Sequence, residues 1–405
     1  YNDYVTENFL IEDLLSHRSG LAANAGDLMQ FPDGSDFTVD DVLNNLQYLK
    51  PVSAFRTQFD YNNQLYIVAG ELIARVSKMS WEKFVQTRIL DALQMKHSFS
   101  KVDAAIKDNN NLAIPHSIKA GITKAIPFFN GKIVGPAGDM VSNVNDMSQW
   151  MIMQLNKGKY GNNLEKQLFS KERQQDMWTI LTPIQGSPFP PTFKSHFFGY
   201  GLGWNLADIK GNLMVAHSGG INGMTTELVM IPDQNLGIII LANIDGSAGM
   251  ATTRAIEGML LDRYLGLDKM DWIGQLGGMV EFFDNQIDTV TTKVWETVAK
   301  NENIKLNKQN YVGIYEDEWF GKVEIFLKGN QLWFKSYRSP KLNGSMKFYK
   351  ANTFAIKWEE LDYTADAFAM FNLDENGIAQ SIQLKNISPM EELQFQDLDF
   401  KRIEK

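Results

Sequence analysis

Apolar residues recur along this chain with two different periods, and the change of period separates its predicted elements. Residues 63–76 follow the spacing of a buried helix. Residues 199–242 form short apolar runs separated by turn sequences, which predicts successive antiparallel strands. The other predicted helices of this part of the chain cover residues 9–15, 39–49, 81–90, 146–155 and 252–265. The pattern therefore predicts an α+β fold in which helices flank an antiparallel sheet.

The pattern changes character towards the C-terminus. A helical stretch at residues 280–300 is followed, from Tyr311 onward, by segments that nearly all alternate like strands. Gly329-Asn330 and Glu375-Asn376-Gly377 are typical hairpin turns. An aromatic-rich run of about a hundred residues with this pattern predicts a small closed β-barrel. The predicted domains are residues 1–275, a helical connector at 276–304 and a barrel at 305–405.

Composition narrows the classes of function. A chain of 405 residues with 44% hydrophobic content can form a large core and a second domain. The net charge of −9 leaves no basic surface, so we expect no nucleic-acid partner. No apolar run reaches membrane-span length. The chain has no cysteine, and its five histidines lack the spacing that brings two ligands onto one helical face, so we expect no metal and no cofactor.

Four strings carry the most specific signals. They are YNDYVTENFLIEDLLSHRSG at residues 1–20, Phe59-Asp60-Tyr61-Asn62-Asn63, Pro136-Ala137-Gly138-Asp139-Met140 and His217-Ser218-Gly219-Gly220. In this order they resemble the serine β-lactamase-like superfamily, and most closely its class C β-lactamase branch with esterase and D-amino-acid peptidase relatives. The C-terminal run is similar to the lipocalin-like domain of some members. The resemblance implies that the barrel acts in substrate access or in oligomerisation, for example as part of a homo-oligomer. The alternative is that the aromatic side chains of the barrel only fill its own interior.

The resemblance implies attack of a serine on an ester or amide carbonyl through an acyl-enzyme. Tyr61 matches the tyrosine of the family's Tyr-x-Asn motif, which manages the proton together with a lysine. Asn63 would hold substrate and that lysine in register. Taken alone, Tyr61-Asn62-Asn63 is an ordinary turn before a helix, and the surrounding string from Phe59 to Val85 is what favours function.

His217-Ser218-Gly219 takes the place of the family's Lys-Thr-Gly motif on the strand that lines the cleft. The N–H of Gly220 would be one oxyanion donor, and the two glycines would let a substrate approach the backbone; a plain bulge is the alternative. A histidine replaces a permanent cation by a group that titrates near pH 6.5. A small-molecule or peptide substrate of a peptidase or esterase is therefore favoured over a β-lactam. His17 and Arg18 are assigned to packing around the site.

The nucleophile motif of the family, Ser-x-x-Lys, lies roughly eighty residues before Tyr-x-Asn and so falls before Tyr1. Ser80-Trp81-Glu82-Lys83 and Ser98-Phe99-Ser100-Lys101 match the bare pattern but follow Tyr61, and we interpret both as chance matches. We expect that this chain is either part of a longer protein or a naturally truncated form. We also expect that the 405-residue chain has no hydrolase activity by itself. A β-lactamase or penicillin-binding carboxypeptidase, and a catalytically silent binding relative, remain alternatives. The resemblance implies a periplasmic or secreted bacterial protein.

Overall fold

The computed structural model describes residues 2–108, 111–119, 122–186, 189–361, 365–388 and 393–404. The chain forms two compact units. The first contains residues 1–23, 51–129 and 134–280, and the second contains residues 24–50, 130–133 and 281–405. Each unit is described by itself below.

The helices are α1 (Asp3–Asn8), α2 (Ile11–Leu15), α3 (Val39–Asn45), α4 (Asn63–Ser77), α5 (Trp81–Val85), α6 (Val102–Asp108), α7 (Gly135–Gly138), α8 (Val144–Leu155), α9 (Lys171–Met177), α10 (Gly246–Leu265) and α11 (Trp272–Lys300). The strands of the first unit are β1 (His116–Lys119), β2 (Ile122–Ala125), β3 (Lys159–Tyr160), β4 (Lys166–Gln167), β5 (Thr182–Pro183), β6 (Phe198–Tyr200), β7 (Asn205–Ile209), β8 (Asn212–Ile221), β9 (Met224–Ile231) and β10 (Leu236–Ala242). Those of the second are β11 (Gly313–Asp317), β12 (Gly321–Lys328), β13 (Gln331–Ser336), β14 (Asn343–Lys350), β15 (Thr353–Trp358), β16 (Ala367–Leu373), β17 (Ala379–Asn386) and β18 (Asp399–Glu404).

A six-stranded antiparallel sheet organises the first unit, in the order β10-β9-β8-β7-β6-β5. Alternate residues of its strands point to opposite faces, so the sheet has two apolar layers. Val229 and Ile231 pack with Leu261 of α10 on one face. Leu228 and Met230 pack with Met151 of α8 on the other. The predicted α+β fold, an antiparallel sheet flanked by helices, is confirmed.

Several predicted helix boundaries are wrong, among them the starts of α8, α10 and α11. The pattern predicted a helix from Asp146 to Leu155 with Asn145 or Asp146 as its N-cap, but α8 begins at Val144 and its N-cap is Asn143, whose side chain accepts the Asp146 N–H. The Asp146 carboxylate instead accepts hydrogen bonds from the His97 N–H and the Ser98 hydroxyl, so a tertiary contact decides its role. Helix α10 begins at Gly246, six residues before the predicted start.

A closed barrel of eight antiparallel strands, β11 to β18, forms the main part of the second unit. Several of the buried side chains of the barrel are aromatic and meet edge to face: Phe354 lies 4.9 Å from Tyr311 and 5.7 Å from Phe371 between ring centroids. Phe334 makes similar contacts with Trp358 and Phe400. These rings fill the closed sheet with apolar area. The predicted C-terminal barrel is confirmed.

Residues 24–50, which we call the docking segment, belong to the second unit rather than to the sheet-containing one. The guanidinium of Arg338, just after β13, makes a bidentate pair with Asp41 and a third hydrogen bond to Asp36. It also lies over the ring of Phe37, 3.9 Å from the centroid, and Phe37 is buried. Charge pairing and ring burial together hold this segment within the second unit.

Candidate active site

Tyr61 lies in the turn that begins helix α4. Asn62 is the N-cap of α4: it is fully buried and its side chain accepts the Gln64 N–H at 3.0 Å. Asn63 is the first residue of the helix, and both Tyr61 and Asn63 are half-buried. A capping asparagine in extended conformation before an apolar-periodic run is what starts the helix here. The cap therefore holds Tyr61 at a fixed entry to α4.

His217 lies on β8 and is held through both ring nitrogens. Its Nδ1 is 2.6 Å from the Ser218 carbonyl oxygen, and its Nε2 is 2.8 Å from the Tyr200 hydroxyl. A carbonyl oxygen only accepts, so Nδ1 carries the proton. Burial lowers the pKa of His217 below its ordinary value, although the bond to Ser218 acts in the opposite direction. The ring is therefore neutral at neutral pH, and Nε2 accepts the hydrogen bond from Tyr200.

This state differs from the sequence-based expectation that His217 titrates near its ordinary pKa. The difference has a physical cause that no local motif contains, namely removal of the ring from water. Tyr200 is itself 1% exposed, and burial raises its pKa, as do the neighbouring Tyr66 and Tyr61. Its hydroxyl thus keeps the proton that it donates to His217.

The Tyr61 and His217 motifs are brought to one place. Their ring centroids are 6.4 Å apart, and the ring of His17 lies 4.1 Å from that of Tyr61. The ring of Tyr66 stacks on His17 at 5.2 Å between centroids, and the ring of Tyr200 lies 4.9 Å away, tilted by 55°. Helix α4 with its preceding turn, strands β6 and β8, and the turn after α2 thus contribute to one aromatic cluster within the sheet-containing unit.

Ser218, Gly219 and Gly220 continue β8 along an exposed edge. The ladder between β7 and β8 ends at Asn205↔Ala216, so β8 beyond Ala216 pairs only with β9. The β8–β9 hairpin closes at Ile221↔Met224 across a two-residue loop. Because hydrogen-bonded and non-bonded pairs alternate in an antiparallel ladder, the backbone groups of Ser218 and Gly220 point away from β9.

The two glycines are not equivalent. A Cβ atom at Gly219 would lie 2.6 Å from the Thr226 hydroxyl on the paired strand, whereas a Cβ at Gly220 would meet open space. Gly219 thus permits the close contact with Thr226, and at Gly220 the N–H points away from β9 while the face on which a side chain would lie is open. This arrangement suits a donor to a developing oxyanion.

The two Ser-x-x-Lys matches have other surroundings. Ser80 is the N-cap of α5 and accepts the Lys83 N–H at 3.3 Å, while the Lys83 side chain is exposed. Ser98 is buried and donates to Asp146 at 2.8 Å. Lys101 pairs with Glu82 at 2.9 Å. In neither match do we observe a contact between the ammonium group of the lysine and the hydroxyl of the serine.

Arg18, which the sequence assigned to packing, belongs to a buried charge network. Its Nε donates to Asp13, which is fully buried and also accepts two hydrogen bonds from Arg56. A further bond runs from Arg18 to Glu12. This network supports the turn that carries His17.

Tyr66 and Tyr200 were not identified from the sequence. Tyr66 lies one helical turn after Asn62 and donates to the Leu15 carbonyl at 2.8 Å. Tyr200 reaches His217 across the sheet, because β6 pairs with β7 at Tyr200↔Asn205 and β7 pairs with β8 at Asn205↔Ala216. Only the helical spacing of Tyr66 behind the Tyr61 motif could have pointed to one of them.

Within the described ranges, no three His, Cys, Asp or Glu side chains are grouped as metal ligands. Across the same residues, no helix combines the length and the apolar character that a membrane crossing requires.

Comparison with known proteins gives consistent matches. The family model described as Beta-lactamase matches residues 2–262, and a model described as Domain of unknown function (DUF3471) matches residues 299–402. "Unguisins hydrolase ungD" of Aspergillus violaceofuscus is 26% identical over 340 residues, which are 80% of this chain and 59% of that protein. "Protein flp" of Staphylococcus aureus is 28% identical over 192 residues, 46% of this chain and 34% of that protein. The chain thus spans less than two thirds of the length of these relatives.

One solved structure is similar over nearly the whole chain. The octameric penicillin-binding protein homologue from Pyrococcus abyssi has a TM-score of 0.52 and 17% identity, and the match covers 96% of this chain and 77% of that one. At this identity the likeness concerns the fold alone.

Proposed function

This chain belongs to the Beta-lactamase family, and we propose that it is the larger part of a serine hydrolase with peptidase or esterase activity. The reaction proceeds through an acyl-enzyme, and the nucleophilic serine lies outside the residues printed here. The observation that carries the proposal is the meeting of the Tyr61 turn with the His217 strand, 6.4 Å apart between ring centroids. The name of the fungal relative, a hydrolase, supports the same class of reaction.

In this proposal Tyr61 takes part in the proton transfer of acylation. The serine oxygen bonds to the carbonyl carbon, its proton passes through the Tyr61 hydroxyl, and the leaving group departs with a proton. Water then attacks the acyl-enzyme and releases the acid. Asn63, the first residue of α4, is the candidate contact for the substrate amide and the absent lysine.

The edge of β8 that points away from β9 supplies the electrostatic stabilisation of the oxyanion. The Gly220 N–H points away from β9 and toward the space where a carbonyl oxygen would develop negative charge. Ser218 presents its backbone along the same edge, where an extended substrate can align.

The neutral state of His217 bears on the choice of substrate. A permanent cation at this position attracts the carboxylate of a β-lactam or of a peptide end, and a neutral imidazole does not. With the pKa of His217 lowered by burial, substrates without a carboxylate at this point are favoured. We therefore expect esters and internal amides to be better substrates than β-lactams or peptides that carry a C-terminal carboxylate at this point.

The test is the intact mass of the natively expressed protein before and after a fluorophosphonate probe. We expect one adduct, on a serine that precedes Tyr1, and no adduct on the 405-residue chain expressed alone. Tyr61→Phe in the native protein should slow adduct formation by about a hundredfold or more. Tyr264→Phe, at a site 65% exposed, is the matched control and should react at the normal rate.

An adduct on Ser80 or Ser98 would overturn the assignment of these serines. If the native protein forms no adduct, the catalytically silent binding relative becomes the better description. An exported bacterial location and a homo-oligomer belong to the same proposal; cell fractionation and light scattering on the native protein test them.

A further inference from the structure

We propose that His17 is a positioning residue for Tyr61, which holds the turn on both sides of that tyrosine and supports its ring. The inference rests on the proposed function in one respect, because Tyr61 is the group whose position matters. It goes beyond the sequence, which assigned His17 to packing alone.

The hydrogen bonds of His17 bracket Tyr61. The main-chain oxygen of His17 accepts the Asp60 N–H at 2.9 Å, and its Nδ1 accepts the Asn62 N–H at 3.1 Å. One residue thus holds the backbone immediately before and immediately after Tyr61. The imidazole itself lies 4.1 Å from the Tyr61 ring, between centroids, and so packs directly against it.

The backbone of His17 is shaped for this contact. Its φ of 53° lies in the left-handed region, which is uncommon for residues other than glycine, although histidine adopts it more often than most. The residue is completely buried. A left-handed conformation at a buried non-glycine residue persists only where the surrounding contacts require it, and such sites are common near functional groups.

The protonation state is set by the same contacts. Since Nδ1 accepts a backbone N–H, the ring proton lies on Nε2. Burial, and to a smaller extent the nearby His217, lower the pKa of His17 to about 3. The imidazole therefore stays neutral and cannot provide the positive charge that would favour a Tyr61 phenolate. It orients Tyr61 without taking the role of the absent lysine.

Packing alone does not account for the residue type. His17 Nε2 is buried and has no hydrogen-bond partner among the described residues, which a phenylalanine would avoid. Rings of Tyr61, Tyr66 and Tyr200 surround the imidazole. A buried N–H without a partner is costly, so the Nδ1 bond to Asn62 is the feature that distinguishes histidine from an apolar ring here.

Two substitutions at His17 separate its role as a hydrogen-bond acceptor from its packing as a ring. His17→Asn places an amide oxygen near the position of Nδ1 and can still accept the Asn62 N–H, whereas His17→Phe keeps a ring and removes the acceptor. We expect His17→Phe to lower kcat for a chromogenic ester, and the rate of fluorophosphonate labelling, by about tenfold to a hundredfold, with little change in KM, because a misplaced catalytic group costs that much. His17→Asn should recover most of the loss. His97→Phe and His97→Asn, at an exposed histidine, are the matched controls.

A second readout does not depend on activity. Long-range proton–nitrogen NMR spectra of the intact protein should show a His17 ring protonated at Nε2 that does not titrate between about pH 8 and about pH 5. Hydrogen exchange at the Asn62 amide should be slow in the wild type and in His17→Asn, and faster in His17→Phe. Thermal unfolding of each variant shows that the comparison is made on folded protein.

The outcomes distinguish the two proposals. If the wild type reacts with no probe, the proposed function fails, and the NMR and exchange data alone decide whether His17 holds the turn. A His17 ring that titrates in this range, a His17→Phe variant with wild-type labelling, or a His17→Asn variant as slow as His17→Phe would each overturn the positioning role.

Discussion

The Tyr200 hydroxyl lies 2.8 Å from His217 Nε2 and joins strand β6 to the motif on strand β8. The two residues are separated by strand β7, so neither the sequence nor direct strand pairing connects them. This hydrogen bond, together with that from Nδ1 to Ser218, leaves the imidazole only one orientation. His217 therefore presents a fixed ring to the candidate cleft.

Removing the Tyr200 hydroxyl should release that orientation. In Tyr200→Phe the Nε2 atom loses its donor, and we expect a loss of about 1 kcal/mol or more in the free energy of unfolding. Labelling by a fluorophosphonate should slow as well. Urea unfolding and labelling rates check this, with Tyr264→Phe as the control. Unchanged stability together with unchanged labelling would show that the bond has no role.

Asp13→Asn should strongly destabilise the protein. Asp13 is fully buried and accepts hydrogen bonds from Arg18, Arg56 and the Leu10 N–H. Removing its charge takes the carboxylate partner from the exposed Arg56 and leaves the buried Arg18 with Glu12 alone, and the loss of the buried Arg18 pair costs about 3 kcal/mol. Urea unfolding at neutral pH measures the loss. Asp176→Asn, which breaks the exposed pair with Arg173, should cost little.

Asp13 also predicts that the free energy of unfolding decreases at acid pH. Burial alone would raise the pKa of Asp13, but the hydrogen bonds from Arg56, Leu10 and Arg18 outweigh it, so the pKa lies below 3.8. A carboxyl with a depressed folded pKa stabilises the fold above its unfolded pKa and loses that contribution as pH falls. The wild type should therefore lose more stability than Asp13→Asn when the pH drops below about 4. Parallel acid profiles would contradict this.

Glu257 predicts that the free energy of unfolding depends on pH with the opposite sign. Burial, and then the nearby Glu227, raise the pKa of Glu257 to about 8, while Arg254 acts weakly against them. The folded state thus holds a proton that the unfolded chain releases near pH 4.5, and stability falls as pH rises from about 4.5 to about 8. Glu257→Gln should be more stable than the wild type at pH 8 by more than about 1 kcal/mol and similar to it near pH 4. Thermal unfolding across pH measures this, and exposed Glu375→Gln should leave the profile unchanged.

Arg338→Ala should loosen the docking segment within the second unit. Its hydrogen bonds are the main reason that the pKa of Asp41 is lowered to about 2, and they also hold Asp36. We expect faster protease cleavage and faster hydrogen exchange within residues 24–50, with a loss of about 1 to 3 kcal/mol because the pair is charge-assisted and partly buried. Lys401→Ala, which breaks an exposed pair with Asp399 on the same barrel, is the control. Equal rates of cleavage in both variants would show that Arg338 does not hold the docking segment.

Particular elements show what could be predicted before the fold was known. Helix α4 begins at Asn63 as predicted, since its apolar period and its capping Asn62 are local features. The start of α8 was predicted wrongly, because Asp146 is committed to His97 and Ser98 from another part of the chain. The docking segment carries helix α3, which was predicted, but its partner Arg338 is almost three hundred positions away.

The sequence by itself determined the family, the α+β sheet domain and the C-terminal barrel, and it predicted the Tyr61 and His217 motifs as parts of one site. These follow from periodicity and short strings, which are local properties of the chain. The tertiary structure alone decided that Tyr200 reaches His217, that His17 holds the Tyr61 turn, and that both imidazoles are neutral. Strand order and burial set these contacts and pKa values, and both depend on residues that are distant in the sequence.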